Sequence, residues 1–172
     1  MAEVTGYSVY KPESEQRRKC NPLGDSFPKL PTQTYDIIYA DPPWDYHGKM
    51  QYDLLFLWTT GPQMANAISL GSAWGFAYKT VAFVWDKMNH NPGRYTLSQT
   101  EFCLVFKKGR IPSPRGARNV KQLVRSRREA HSAKPEEVID GITAMFPSQR
   151  KIDLFARRRF QGWDAWGLEA PS

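Results

Sequence analysis

The four residues Asp41-Pro42-Pro43-Trp44 are the part of the sequence best suited to chemistry. Each proline fixes its own φ angle, lacks an N–H and favours an extended shape in the residue before it. The segment therefore offers a carboxylate and backbone carbonyls as acceptors, with no donor at either proline. This row of acceptors, which we call the rim, matches an exocyclic amino group with two N–H donors. The indole of Trp44 offers a face on which a base stacks.

The amino group of adenine fits this rim, and its reactivity explains why acceptors are needed. The N6 lone pair is delocalised into the ring, so N6 is a poor nucleophile, and attack on a sulfonium methyl group places positive charge on it. Acceptors aimed at the two N–H groups stabilise that charge and align N6 with the methyl–sulfur bond. In a duplex the adenine must first leave the stack. No metal is required. The alternative interpretation is a proline-stiffened turn that follows a strand.

A strand must hold this motif in place, and the segment before it has that character. Tyr35 to Ala40 is a short apolar run rich in β-forming residues, and the two prolines stop it. Further strands are predicted at residues 54–58, 78–85, 102–106, 151–155 and, as a short last strand, 163–166. The first strand therefore ends where the motif begins.

Two helices are predicted between these strands. The first runs from about residue 60 to residue 74, with Thr60 or Gly61 as its cap and Gly75 at its end. The second runs from Ser132, which can cap it, to residue 146, with Pro135 in its first turn. The alternation predicts one α/β domain with a mostly parallel sheet. Such sheets bind ligands beyond the carboxyl ends of their strands, where we expect Asp41, Asp86 and Ala156-Arg157.

The connection between the first two strands is too short for this fold. A parallel return to the same sheet needs a crossover of a dozen or more residues, usually a helix. Only about seven residues, 46–52, are available. Either the two strands are not joined in the usual way, or a segment is missing from the chain. We favour a missing segment, in the form of a long loop.

Composition indicates the partner and the compartment. The chain has 172 residues, which suits one domain, and a formal net charge of +7, which favours nucleic acid. Two cysteines are too few for a disulfide framework or a zinc site. No apolar run is long enough for a membrane span or a leader, so we expect a cytoplasmic protein, a monomer or a homodimer. Residues 1–33 are predicted to be an irregular arm, and residues 107–128 a basic loop region.

The sequence resembles the MT-A70 family of adenine-N6 methyltransferases, and especially its small phage and bacterial DNA members of the Dam type. The matching stretches follow the family's order: YDIIYADPPWDY (35–46), LLFLWTTGPQM (54–64), AWGFAYKTVAFVWDK (73–87), TEFCLVFKKG (100–109), HSAKPEEV (131–138) and RKIDLFARRRFQGWDAWG (150–167). The resemblance implies a Rossmann-like fold with permuted motif order, helices on both faces of the sheet, and S-adenosyl-L-methionine (SAM) as cofactor. It implies N6 methylation of adenine in DNA, with GATC as a weakly supported target sequence.

The resemblance also implies roles for individual residues. The catalytic group is Asp41, Pro42, Pro43 and Trp44, of which Asp41 also contacts the cofactor. The cofactor-binding residues are implied to be Lys134 beside the SAM carboxylate, His131, the strand-end residues Asp153, Leu154, Phe155 and Arg157, and Glu169. The family commonly places an Asn after its final Trp-Gly. Leu168 stands there in this chain, so Glu169 or a backbone group must make that contact.

Residues that contact the nucleic acid are expected in the part of the chain that follows the motif. Trp85 is a second candidate for stacking, or it is core, and Glu101 matches an acidic family position near the target. The set comprises Tyr46, Trp85, Glu101 and the basic residues Lys107, Lys108, Arg110, Arg115 and Arg118, whose charges suit phosphates. Two alternatives remain open: an RNA adenosine-N6 methyltransferase, and a non-catalytic nucleic-acid-binding subunit.

Overall fold

The computed structural model describes residues 28–42, 52–93, 95–128 and 133–170. The strands are β1 (Tyr35–Ala40), β2 (Tyr52–Thr59), β3 (Ala77–Asn91), β4 (Ser98–Lys107), β5 (Leu123–Arg125), β6 (Lys151–Leu154) and β7 (Asp164–Trp166). The helices are α1 (Met64–Ala73), preceded by a 3-10 turn at Gly61–Gln63, and α2 (Glu136–Met145). The first strand has the predicted bounds, whereas β3 and β4 are longer than their apolar runs.

The described strands form one seven-stranded sheet in the order β5-β3-β4-β2-β1-β6-β7. β4 is antiparallel to both of its neighbours, β2 and β3, and the other four pairings are parallel. Six strands therefore point the same way. We call the side of the sheet where these six strands end the carboxyl edge, and the side where they begin the amino edge. The predicted α/β class with a mostly parallel sheet is confirmed.

The two helices cover opposite faces of the sheet. Along β1 and β2 the side chains alternate, because successive residues of a strand point to opposite faces. Ile38 and Leu55 pack in the same cluster as Leu70 of α1. Ile37 and Phe56 pack in the same cluster as residues of α2. The predicted placement of helices on both faces is confirmed.

Both helix starts differ from the prediction. Thr60 precedes the 3-10 turn but makes no capping hydrogen bond with its side chain. The α2 helix begins at Glu136, with Pro135 in an extended conformation just before it. Proline disfavours a helical conformation in the residue before it, so the helix cannot extend back through Lys134. The predicted cap Ser132 lies outside the described residues.

The end of α1 follows the prediction that Gly75 terminates it. Gly75 has a φ of +87°, and the N–H of Phe76 donates to the carbonyl of Gly71 at 3.0 Å. The N–H of Gly75 donates to Ser72 at 2.9 Å. This pair of bonds is the Schellman arrangement, in which a glycine takes the left-handed position after the last turn. The chain is thereby turned into β3.

Two further expectations need correction. Asp86 does not end its strand, because β3 continues to Asn91. The basic region 107–128 is not wholly irregular, because β5 lies within it and pairs with β3. A three-residue strand is too short to show a hydrophobic period. Within the described segments, no helix is long and apolar enough to cross a bilayer.

Candidate active site

Asp41 follows the last residue of β1, and its carboxylate meets Lys134 from the loop before α2. The Lys134 Nζ lies 3.1 Å from Asp41 Oδ2 and 2.8 Å from Glu101 Oε2 on β4. It also lies 5.3 Å from the centre of the Trp58 ring on β2. Lys87 completes the cluster, with Nζ 3.3 Å from Glu101 Oε1. Two lysines and two carboxylates therefore alternate along the carboxyl edge.

Burial and charge shift the pKa values in this cluster in opposite directions. Burial raises the pKa of Asp41 despite the attraction of Lys134. Burial would also raise the pKa of Glu101, but Lys134 and Lys87 outweigh it and lower that pKa. Burial alone would lower the pKa of Lys134, yet Asp41 and Glu101 raise it. Lys134 therefore stays protonated, and its charge is the principal influence that opposes the rise in the pKa of Asp41.

Asp41 is the open member of this cluster. Its side chain is 39% exposed to solvent, whereas the side chains of Lys134 and Glu101 are 13% and 14% exposed. Protein surrounds the carboxylate on most sides, and this accounts for the raised pKa, while one side faces solvent. Pro42, the next residue, is buried and has no N–H to offer. The strand end thus presents an accessible acceptor with no donor at the following residue.

Asp153 on β6 lies beside Tyr39 of β1, the second residue before Asp41. Burial and the nearby Asp41 raise its pKa to about 8, although Arg158 opposes the rise. The side chain is therefore largely protonated at neutral pH. The prediction placed Asp153 at a strand end with a free carboxylate, whereas β6 continues for one more residue and Asp153 is buried.

The chain leaves β6 in a constrained conformation. Phe155 has a φ of +63°, which is uncommon for a residue other than glycine and marks local strain. Gly167, just after β7, passes so close that a Cβ there would lie 2.9 Å from the Cα of Phe155. Leu154 is buried in the core, whereas Arg157 and Glu169 are exposed and face each other at 3.7 Å. The predicted cofactor segment therefore forms a constrained turn at the carboxyl edge, which we call the exit of β6.

A cavity of about 270 Å³ lies beside Lys134, at the start of α2. Its wall includes Trp85, which is buried, stands edge-on to Trp58 and donates from Nε1 to the Ser126 carbonyl at 2.9 Å. Trp85 is therefore a core residue rather than an open stacking face, and its core interpretation is the correct one. The charged residues around the cavity, apart from Lys134, are Arg127, Arg158, Glu136, Glu137 and Asp140.

The predicted phosphate contacts are distributed over both edges of the sheet. Lys107 ends β4 and pairs with Leu54 and Ala77, at the amino edge. It is six residues along the strand from Glu101, roughly 20 Å away at about 3.3 Å per residue. Lys108 and Arg110 follow Lys107 directly, so the structure does not bring these three cations to Asp41.

Arg115 also stays away from the carboxyl edge. Its guanidinium lies 4.8 Å from the ring centre of Phe146, just after the last residue of α2. Arg118 is exposed on the same connection. The later part of the basic region reaches the carboxyl edge instead, because Arg125 pairs with Asp86 in the sheet and Arg127 lines the cavity.

Several predicted site residues lie outside the described residues. They are Pro43 and Trp44 of the proposed catalytic motif, Tyr46 and His131. The structure therefore describes only Asp41 and Pro42 of the motif.

The sequence interpretation missed two groups that belong to the site. Lys87 was not singled out, although the spacing of Lys87 and Trp85 on one strand places both on the same face. Arg158 was also passed over: its Nη2 donates to the Lys134 carbonyl at 2.8 Å, and its Nη1 to Glu136 at 2.6 Å. The only sequence signal for Arg158 is the run of three arginines that follows β6.

The sheet is open and mostly parallel, and the ionisable cluster, the cavity and the strained turn after β6 all lie at its carboxyl edge. This arrangement defines an α/β enzyme domain of the Rossmann-like class. Residues 49–169 match the family model MT-A70. The chain belongs to the MT-A70 family of methyltransferases. This match begins after Asp41-Pro42-Pro43-Trp44, so it does not itself include the motif.

Individual relatives agree with this family. The chain is 54% identical to the Type II methyltransferase M.MunI of Mycoplasma sp, over 98% of this chain and 92% of that protein. It is 31% identical to the N(6)-adenosine-methyltransferase MT-A70-like of Arabidopsis thaliana, over 78% of this chain. It is 27% identical to the N(6)-adenosine-methyltransferase catalytic subunit METTL3 of Homo sapiens, over 72% of this chain. The chain spans 23% and 26% of those two longer proteins.

The alignment with the Mycoplasma protein bears on the short β1–β2 connection. It extends over 214 positions, against 172 residues in this chain, a difference of 42. At least that many positions therefore carry a residue in the relative and none here. β1 and β2 are adjacent and parallel, with Tyr35 opposite Tyr52, so they need a crossover. A segment missing between these strands remains our prediction.

Proposed function

We propose that this protein is a SAM-dependent methyltransferase that transfers a methyl group to N6 of adenine in DNA. The observation that carries the proposal is an accessible carboxylate, Asp41, at the carboxyl end of a central parallel strand. Lys134 holds it from one side at 3.1 Å, and Pro42 removes the next backbone donor. The family and the 54% identity to a Type II methyltransferase support the same reaction class.

The arrangement suits an amine that becomes positively charged. An ionised Asp41 accepts a hydrogen bond from N6, and this bond strengthens as positive charge develops during attack. Lys134 opposes the effect of burial on the pKa of Asp41, and so favours the ionised form. We propose that the Pro42 carbonyl accepts from the second N–H, and that Trp44 stacks on the base.

The residues at the carboxyl edge fit SAM, which supplies a methyl group bound to a sulfonium. Its amino-acid part carries a carboxylate and an ammonium, and the cavity beside Lys134 has cations and acids around it. A volume of about 270 Å³ is below the roughly 300–1,000 Å³ of typical ligand pockets, so it suits this part rather than the whole cofactor. We assign the remainder to the exit of β6, where Asp153, Arg157 and Glu169 meet hydroxyl groups.

We propose that Lys134 has a second role besides the one beside the cofactor carboxylate that the family resemblance implies. Two carboxylates already contact its ammonium, so its charge is compensated before any cofactor carboxylate arrives. We propose that Arg158 and the amino end of α2 also contribute to holding the cofactor carboxylate, although Arg158 already donates to Glu136. Lys134 positions Asp41.

Arg125, Arg127 and Arg128 are the proposed phosphate contacts. They follow one another at the end of β5, on the carboxyl edge, and Arg127 is exposed beside the cavity. Cations here can hold the backbone on either side of a displaced nucleotide. Lys107 and Lys108, at the amino edge, remain candidates only for DNA that extends around the domain.

The product identifies the reaction. Purified protein is incubated with SAM and either unmethylated DNA or RNA. The product is digested to nucleosides, which are separated and identified by mass spectrometry. We expect N6-methyldeoxyadenosine from DNA and at least tenfold less methylation of RNA. Methylation of cytosine, or a preference for RNA, would contradict the proposal. The methylated sequence is then read from the DNA product, which also tests GATC.

A further inference from the structure

The hairpin formed by β3 and β4 projects past the rest of the sheet at the carboxyl edge. In the sheet Asp86 pairs with Thr100 and Asn91 with Ser98, so residues 87–90 face the single residue Gln99. This excess makes a bulge, which bends the hairpin and strengthens its twist. The described residues from Met88 to Gln99 are all exposed. The projecting part is therefore a two-stranded ribbon that no other strand covers among the described residues, and we call it the tip hairpin (residues 88–93 and 95–99).

The base of the tip hairpin is built into the site. Lys87, the last buried residue before the bulge, contacts Glu101, which contacts Lys134, which contacts Asp41. The bulge is itself anchored, because the N–H of Met88 donates to Asp86 Oδ1 at 3.0 Å. The tip hairpin therefore stands beside Asp41, on the side from which a nucleic acid must approach.

The tip hairpin exposes three large apolar side chains to solvent. Met88, Tyr95 and Leu97 are 59%, 98% and 60% exposed. Their neighbours Asn89, His90, Asn91 and Gln99 are polar and uncharged or weakly basic, and residues 87–100 contain no acid. Three water-exposed apolar side chains on one hairpin beside a candidate active site, without negative charge near them in the chain, indicate a binding surface.

We propose that the tip hairpin enters a groove of duplex DNA and that Tyr95 fills the space left in the stack when the target adenine leaves it. The inference rests on the proposed function, because only an enzyme that acts on a base inside a duplex needs such a device. A two-stranded ribbon fits the major groove, and architectural proteins kink DNA with apolar side chains inserted between bases. The tip hairpin carries no acidic residue, so no negative charge on it opposes the phosphates of DNA.

Tyr95 is the side chain best suited to this role. Its ring is almost wholly exposed and can stack on the neighbouring bases, which are planar and aromatic. The turn that presents it is tight, since a Cβ at Gly93 would collide with the carbonyl of Thr96. Met88, at a φ of +53° in the bulge, lies at the other side of the same ribbon. Asn89 and Asn91 carry amide groups that can read base edges.

The test compares duplex and single-stranded substrates. Initial methylation rates are measured with unmethylated linear duplex DNA and with its separated strands, for the wild type, Tyr95→Ala and Tyr95→Phe. We expect Tyr95→Ala to lower the rate on duplex DNA by at least tenfold and to change the rate on single strands by less than threefold. Tyr95→Phe keeps the ring and should stay within threefold on both. The matched control, Ile111→Ala, alters a 50% exposed residue at the amino edge and should change neither rate.

A second measurement follows the base directly. Once the methylated sequence is known, 2-aminopurine replaces the target adenine, and its fluorescence rises when it leaves the stack. We expect the rise with wild type and Tyr95→Phe, and less than a third of it with Tyr95→Ala. An unchanged duplex rate in Tyr95→Ala, an equal loss on both substrates, or self-association abolished by Tyr95→Ala would each overturn the inference. If the wild type methylates neither substrate, the proposed function itself fails.

Discussion

Replacing Lys134 by Met should destabilise the protein and make its stability strongly dependent on pH. Methionine keeps the length of the side chain but removes the charge that contacts Asp41 at 3.1 Å and Glu101 at 2.8 Å. Removing one partner of a buried ion pair costs about 3–5 kcal/mol, because the other charge is left uncompensated. Two facts reduce that cost here: Asp41 is partly exposed, and Glu101 keeps Lys87 at 3.3 Å. We therefore expect a loss of about 2–4 kcal/mol at pH 7.5.

The dependence on pH identifies the cause of that loss. Burial already raises the pKa of Asp41, and the change removes the group that opposes this rise, so the pKa of Asp41 increases further. A carboxyl whose pKa is raised by folding stabilises the fold when protonated and loses that contribution as the pH rises. The deficit of Lys134→Met relative to wild type should thus shrink as the pH falls from 7.5 to 5.5. The double variant with Asp41→Asn should recover at least half of it.

Urea denaturation at several pH values measures these differences. A loss of about 3 kcal/mol corresponds to a fall in melting temperature of roughly 6–12 °C for a domain of this size. Lys121→Met removes an exposed lysine and serves as the matched control, with an expected change below about 0.5 kcal/mol. If Lys134→Met matched the control, or if its deficit were the same at every pH, the inferred compensation of Asp41 would be wrong.

Three further predictions concern other parts of the molecule. The pKa of Asp153 is about 8 in the folded protein, so its contribution to the free energy of unfolding should fall as the pH rises from about 4 to 8, by up to about 1.4 kcal/mol per pH unit. Asp153→Asn should remove this pH dependence, as measured by urea denaturation. Gly71→Val places side-chain carbons where the Phe106 ring lies, and should cost about 1–3 kcal/mol in the same assay; a neutral result would show that the ring moves freely. Arg127→Ala should weaken DNA binding and reduce the slope of log affinity against log salt by about 1, whereas Lys107→Ala should not; the opposite pattern, measured by fluorescence anisotropy, would place DNA at the amino edge.

The strands and the reaction class could be predicted from local sequence. The run before Asp41 is apolar, rich in β-formers and stopped by prolines, and β1 occupies those residues. The direction of β4 could not be predicted, since an antiparallel strand in this sheet has the same apolar pattern as a parallel one. That direction sends Lys107 to the amino edge, so a basic run that looks continuous in sequence divides between two sides of the molecule.

The central contacts of the site depend on tertiary packing. The family resemblance implies that Lys134 lies beside a cofactor carboxylate. In the structure Lys134 also contacts Asp41, just after β1, and Glu101 on β4, and no local signal links residues so far apart in the chain. Trp85 likewise has the composition of a stacking residue, yet it is buried against Trp58. Exposure depends on which strands are neighbours, and this follows from sheet order.

The most direct test of the account measures methyl transfer by Asp41→Asn. Asparagine keeps the shape of the side chain but removes the negative charge that stabilises a developing cation, so the rate should fall by at least a hundredfold. SAM binding, measured by calorimetry, should change by less than tenfold. Asp53→Asn, at the start of β2 on the amino edge, is the control and should leave the rate unchanged. N6-methyldeoxyadenosine formation at the wild-type rate by Asp41→Asn would contradict the account, because the carboxylate at the end of β1 would then have no part in the reaction.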